Sequence, residues 1–104
     1  MRVIWSNFAI ESLKEIYAYY KQVAGLRVAR KINNRIFNST KQLINHPKSG
    51  RIEDVLIKLN EGHRYLVVGN YKVIYKEVKE GILITDVFDT RQNPTKMNNP
   101  NRKL

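Results

Sequence analysis

From Ala9 to Ile44 the apolar positions recur three and four residues apart. Ala9, Ile10, Leu13, Ile16, Tyr17 and Tyr20 form one series, the spacing of an amphipathic helix. Ser6 and Asn7 precede it as two N-cap candidates, and Glu11 is expected in the first turn, where the helix dipole favours an acid. Gly25 interrupts the series and closes the helix. Val28, Ala29, Ile32, Ile36, Leu43 and Ile44 then keep helical spacing as far as His46-Pro47, where the residue before proline resists helix. Two helices joined by so short a turn predict an antiparallel helical hairpin. A short apolar strand, Val3 to Trp5, comes before it.

The second half changes period. Runs rich in β-branched and aromatic residues predict strands at 55–59, 64–68, 71–75 and 82–88. Asn60-Glu61-Gly62, Gly69-Asn70 and Glu80-Gly81 lie between them, and Gly69-Asn70 suits a two-residue II′ turn. Links this short make neighbours antiparallel, so the four strands form a meander. The run from Ile82 alternates imperfectly, which predicts a central strand apolar on both faces. The fold class expected is α+β: an N-terminal helical hairpin packed on one face of a twisted antiparallel β-sheet meander. Residues 1–93 make a single domain. Residues 94–104 are expected to be a basic, flexible C-terminal tail, because Met97 and Leu104 are its sole apolar residues and cannot order it without a partner.

Charge changes this picture more than length does. Lys and Arg number 19 against 9 Asp and Glu, a net charge of +10 on 104 residues. Between Ile16 and Ile52 there is no acid, while Lys21, Arg27, Arg30, Lys31, Arg35, Lys41, Lys48 and Arg51 fall there. Such a field attracts nucleic acid or an acidic protein segment, although phosphate contacts alone specify no base sequence. The absence of cysteine excludes disulfides and thiolate-held metals. No stretch approaches the ~20 apolar residues of a membrane span, and Met1-Arg2-Val3-Ile4-Trp5 turns polar too soon for a secretory signal. A cytoplasmic protein without membrane association is the expectation.

Candidate chemistry is sparse. Glu53 and Asp54 are adjacent in a loop and do not make a paired-carboxylate site, and the five glycines are scattered singly. His46 and His63 match no metal-ligand spacing. His46 suits a helix end and His63 is expected to be exposed at the start of a strand, so neither a metal nor a cofactor is expected. What remains is a basic cluster. Strand alternation puts Lys72 and Lys76 on the face opposite Tyr71, Val73 and Tyr75. Arg91 follows the neighbouring strand, and Arg51, Lys58 and Arg64 complete an electropositive sheet surface suited to a phosphodiester or an acidic helix. Cleavage of RNA by its own 2′-hydroxyl would need a base, an acid and fixed cations. Lys72 and Arg91 are the candidate catalytic cations, but no His, Tyr, Glu or Asp lies between Arg91 and Leu104 to donate a proton.

The order of these pieces resembles the RelE/ParE superfamily of bacterial type II toxin–antitoxin toxins, and more closely its ParE, or plasmid-stabilisation, branch. The resemblance is carried by Ala9, Leu13, Ile16-Tyr17 and Tyr19-Tyr20, by Ala29, Ile32 and Ile36, and by Pro47-Lys48-Ser49-Gly50-Arg51. Tyr71-Lys72-Val73-Ile74-Tyr75, Ile84 to Phe88 and Asp89-Thr90-Arg91-Gln92-Asn93-Pro94 complete it. It implies a toxin that inhibits growth and is neutralised by a cognate antitoxin, with an amphipathic antitoxin helix lying in a toxin groove, as a homodimer or a toxin–antitoxin hetero-oligomer. RelE-like members cut messenger RNA on the ribosome, whereas ParE-like members are regarded as inhibitors of DNA gyrase. Here Lys72 stands where the nucleases usually have arginine, Arg91 matches their second basic position, and Met97 falls near their C-terminal acid/base. The region 52–57 also lacks their lysine pair. These departures favour a gyrase inhibitor that is not an enzyme. The alternatives are a ribosome-dependent mRNA interferase and a non-toxic regulator that binds nucleic acid or antitoxin.

Overall fold

The computed structural model describes residues 1–102. Strand β1 (Val3–Trp5) leads into helix α1 (Asn7–Ala24), and α2 (Leu26–Ser39) follows. Then come β2 (Arg51–Ile52), β3 (Arg64–Val68), β4 (Tyr71–Val78) and β5 (Gly81–Asp89), with short 3₁₀ turns at 40–44, 54–59, 94–98 and 100–102. The sheet order is β1-β5-β4-β3-β2. From β2 to β5 it is the expected antiparallel meander. The fifth strand makes the sheet mixed: β1 pairs parallel to β5, with Ile4 opposite Leu83.

Local chemistry explains the helix boundaries. The Ser6 hydroxyl accepts the Ala9 N–H at 3.1 Å, so Ser6 is the N-cap and Asn7 is already helical. Glu11 therefore lies beyond the first turn, where it meets Lys14 at 3.4 Å. Gly25, at φ +95°, ends α1 and opens α2 in one residue. The second helix stops earlier than its apolar spacing predicts. Ser39 and Thr40 donate their hydroxyls to Ile36 O and Phe37 O, at 2.6 and 2.7 Å, and the chain tightens into a 3₁₀ turn.

The predicted strand at 55–59 is instead a 3₁₀ turn, and the outer strand is the short β2. Glu53 caps that turn by accepting the Val55 N–H, and Asn60 ends it in the left-handed region at φ +54°. Leu56 is buried, Val55 and Leu59 half-buried, and Ile57 and Lys58 exposed. That spacing is helical, and a strand would have exposed Leu56.

Two layers cover the sheet. On one face Ala9 and Ile36 of the helices, with Leu43, pack on Tyr71, Val73, Tyr75, Ile82, Ile84 and Val87. The other face, expected to be open, carries a second cluster of Leu56, Ile74, Phe88 and Met97. The segment from residue 94 is thus not a free tail in this structure: Met97 is only 1% exposed, within the turn 94–98. Asn93 caps that turn through the Thr95 N–H, and Pro94 suits its first position. Lys103 and Leu104, also assigned to the tail, lie outside the described residues.

One irregularity positions everything that follows. Ile74 faces Asp86 while Tyr75 faces Ile84, so Thr85 is an extra residue in β5. Its hydroxyl donates to Ile74 O at 3.3 Å. A bulge resets the alternation: Ile82 and Ile84 before it, and Val87 after it, all face the helices, while Phe88 joins the second face. The imperfect alternation from Ile82 reflects this bulge as well as a central strand.

Candidate functional site

Because the bulge turns Val87 toward the helices, Asp89 two residues on emerges on that side, opposite Tyr71 of β4. Arg91 then folds back on it. The Arg91 Nε and Nη2 donate to Asp89 Oδ1 and Oδ2 at 2.9 and 2.8 Å, and the Arg91 backbone N–H adds a third bond at 2.9 Å. Such a bidentate pair fixes the plane of the guanidinium. The Arg91 hydrogen bonds hold the Asp89 carboxyl below the usual carboxylate range, and Asp89 in turn raises Arg91.

Arg91 borders an open cleft of about 380 Å3 between α1 and the end of β5, lined by Ser12, Glu15, Tyr19, Tyr71 and Gln92 among others. At its floor the Tyr71 hydroxyl donates to Tyr20 Oη at 3.4 Å. Burial, and then that hydrogen bond, pushes Tyr71 well above the ordinary tyrosine range. Neither Tyr71 nor Arg91 can therefore exchange a proton near neutrality. With its side chain 55% exposed, Arg91 presents a fixed charge to solvent.

The rest of the expected cluster lies elsewhere. Lys72 is on the opposite face of the sheet, its Nζ 2.8 Å from Glu53 Oε2 and 4.1 Å from the centre of the Tyr65 ring. Lys76 pairs with Glu61 at 2.9 Å. Arg64 donates to Gly50 O at 2.8 Å and clasps the loop before β2. Arg51 and Lys58 are exposed. Lys72 and Arg91 are thus not brought together, and among the described residues no single concave basic surface forms, because two 3₁₀ turns occupy the face where it was expected.

Sequence reasoning also missed His63, which is 2% exposed. It sits in the loop before β3, and its Nε2 lies 4.0 Å from Glu61 Oε1, with no hydrogen-bond partner at either nitrogen among the described residues. Burial, then the nearby Lys76 charge, lowers its pKa against the opposing pull of Glu61 and Glu53. Glu53 is equally buried, and its sequence signal was a pair of acids, Glu53-Asp54, ahead of an apolar run. Asp89 was legible as the i−2 neighbour of Arg91.

Comparison with known proteins bears on this arrangement. Residues 3–94 match the family described as the ParE toxin of the type II toxin–antitoxin system parDE. Among solved structures, the chain is similar to one described as the chromosomal ParDE toxin–antitoxin system from P. aeruginosa. That likeness has a TM-score of 0.73 and 22% identity, over 86% of this chain and 95% of that one. No curated protein sequence gives a significant match. Among the described residues no helix is long and apolar enough to cross a membrane.

Proposed function

Since the chain belongs to the ParE toxin family of type II toxin–antitoxin systems, we propose that it arrests growth by engaging DNA gyrase and is held inactive by a cognate antitoxin. The observation that carries this reading is Arg91, a permanent charge locked by Asp89 and more than half exposed at the mouth of the cleft. A guanidinium fixed in this way suits the binding of an anionic group of a partner. The candidate nuclease cation on the other face, Lys72, is neutralised by Glu53, and Met97, near the position of the nucleases' acid/base, is buried in apolar surroundings.

In this reading Arg91 is the principal contact for the target, and Arg51 and Lys58 supply further positive surface on other elements. Lys72, Lys76 and Arg64 act through the fold, by tying the 3₁₀ turn and the loops around β2 to the sheet. The antitoxin contributes an amphipathic helix, for which the exposed Tyr19, Val23 and Leu26 at the end of the helical hairpin offer apolar surface.

The test takes purified protein into a gyrase supercoiling reaction, with and without its antitoxin, and into cell-free translation with the 5′ ends of a defined messenger mapped. Supercoiling lost with the messenger intact, and restored by antitoxin, is the expected result. Ribosome-dependent cuts that recur within codons would instead identify an interferase.

A further inference from the structure

The sequence of α2 contains four cations and no acid, and the structure puts the cations on one side. Ala29, Ile32 and Ile36 face the core. At 100° per residue, Arg27, Lys31, Asn34 and Asn38 project opposite them, flanked by Arg30 and Arg35. All six, with Leu26 at one end, line a shallow groove of about 690 Å3 that shares no residue with the Arg91 cleft. Among the described residues, none of these four cations has a carboxylate partner, whereas Lys72, Lys76, Arg91 and Arg102 each have one.

Such an arrangement opposes the stability of the helix. Arg27 and Lys31, and Lys31 and Arg35, are like charges four residues apart, which repel. Arg27 and Arg30 lie near the N-terminus, where the helix dipole disfavours cations. A helix needing only solubility would alternate the signs of its charges. A counter-charge from outside the chain removes both penalties together.

We infer that this face of α2 binds the phosphate backbone of a nucleic-acid duplex without reading its sequence. The inference stands independently of the gyrase reading and concerns a different surface. A backbone fits better than an acidic protein segment because the middle of the face is wholly polar. Protein interfaces depend on buried aromatic or apolar anchors, and here the centre offers Asn34 and Asn38, whose amides donate to phosphate oxygens as the flanking cations pair with them.

The test measures binding of the full chain to a short labelled DNA duplex by fluorescence anisotropy, across about 50–200 mM salt. Four neutralised phosphates give a slope of log affinity against log salt of about −3 to −4, a loss near a hundredfold over that range. Arg27→Gln, Lys31→Gln and Arg35→Gln should each reduce the slope by about one. Lys79→Gln and Lys96→Gln, which remove the same charge from exposed positions elsewhere, should leave it nearly unchanged. A slope indifferent to the α2 variants would overturn the inference. So would equal losses from the two controls, which would mean net charge alone, or preferential binding of poly-glutamate, which would mean an acidic protein partner. If circular dichroism shows a glutamine variant to be unfolded, the charge-keeping Arg27→Lys and Arg35→Lys take its place. They must retain the full slope, and its loss counts against the inference.

Discussion

Arg102 Nη1 donates to both carboxylate oxygens of Asp86, at 3.0 and 2.9 Å, while its guanidinium lies 5.1 Å from the ring centres of both Phe8 and Phe88. This contact ties the last described turn to α1 and β5. Asp86 is 1% exposed, so removing its counter-ion strands a buried charge. Arg102→Ala should cost about 3 kcal/mol at neutral pH, measured by urea unfolding. The loss should shrink at acid pH, where Asp86 takes up a proton. An equal loss at both pH values would mean that packing on the rings, rather than charge, holds the turn.

Two buried groups should tilt the pH dependence of stability in opposite directions. Burial, only partly offset by Arg102, raises Asp86 from 3.8 to about 6. Its contribution to stability is complete below about pH 4 and is lost as pH rises through 6, on the order of 3 kcal/mol in all. His63 is lowered below 6.5. The unfolded chain therefore binds a proton that the folded one refuses, and stability falls as pH drops below 6.5. Asp86→Asn should abolish the falling limb between about pH 4 and 6 and leave the acid loss from His63, whereas His63→Leu should do the reverse. Unfolding midpoints across about pH 4 to 8 for the three proteins check both signs.

The Glu53–Lys72 pair predicts an asymmetry between single and double substitution. Glu53 is 2% exposed and bonds otherwise to the Val55 N–H at 3.3 Å. Lys72→Met should cost about 2–4 kcal/mol by leaving that carboxylate unpaired, while Lys72→Met with Glu53→Leu should recover most of it. Denaturant midpoints for the cycle measure the coupling. Additive costs would show that the two side chains act separately.

Arg91→Ala should relieve growth arrest at matched expression without a measurable change in unfolding midpoint, because the side chain is largely exposed and its bonds are local. Asp89→Asn, which releases the guanidinium from its fixed plane, should weaken toxicity less. Full toxicity from Arg91→Ala would remove the cleft from the target interface.

The helical hairpin was legible because its apolar spacing, the Ser6 cap and Gly25 are all local signals, and each agrees with the packing that results. The strands from Arg64 onward were legible for the same reason, and so was the Gly69-Asn70 turn, where Gly69 takes φ +57°. Residues 55–59 misled because a short apolar run suits a strand or a 3₁₀ turn alike, and only Ile74 and Phe88 beneath Leu56 choose between them. Met97 misled in the same way: one apolar residue in a polar segment looks unanchored until a sheet face with a vacancy for it is built.

By itself, then, the sequence determined the α+β class, the strand-then-hairpin order, the excess of positive charge and the acid-free stretch that becomes the outer face of α2. It also held, in Asp89 and Arg91, a pair two residues apart. Tertiary structure alone decided which charges meet. One additional residue in β5, Thr85, turned Asp89 and Arg91 to the helix side, while the regular alternation of β4 kept Lys72 on the other, where Glu53 reached it from 19 residues away along the chain. Alternation along a strand is a local rule, but a bulge inverts it for every residue beyond. The distant pair Asp86–Arg102 lies beyond that inversion, which no spacing in the sequence records.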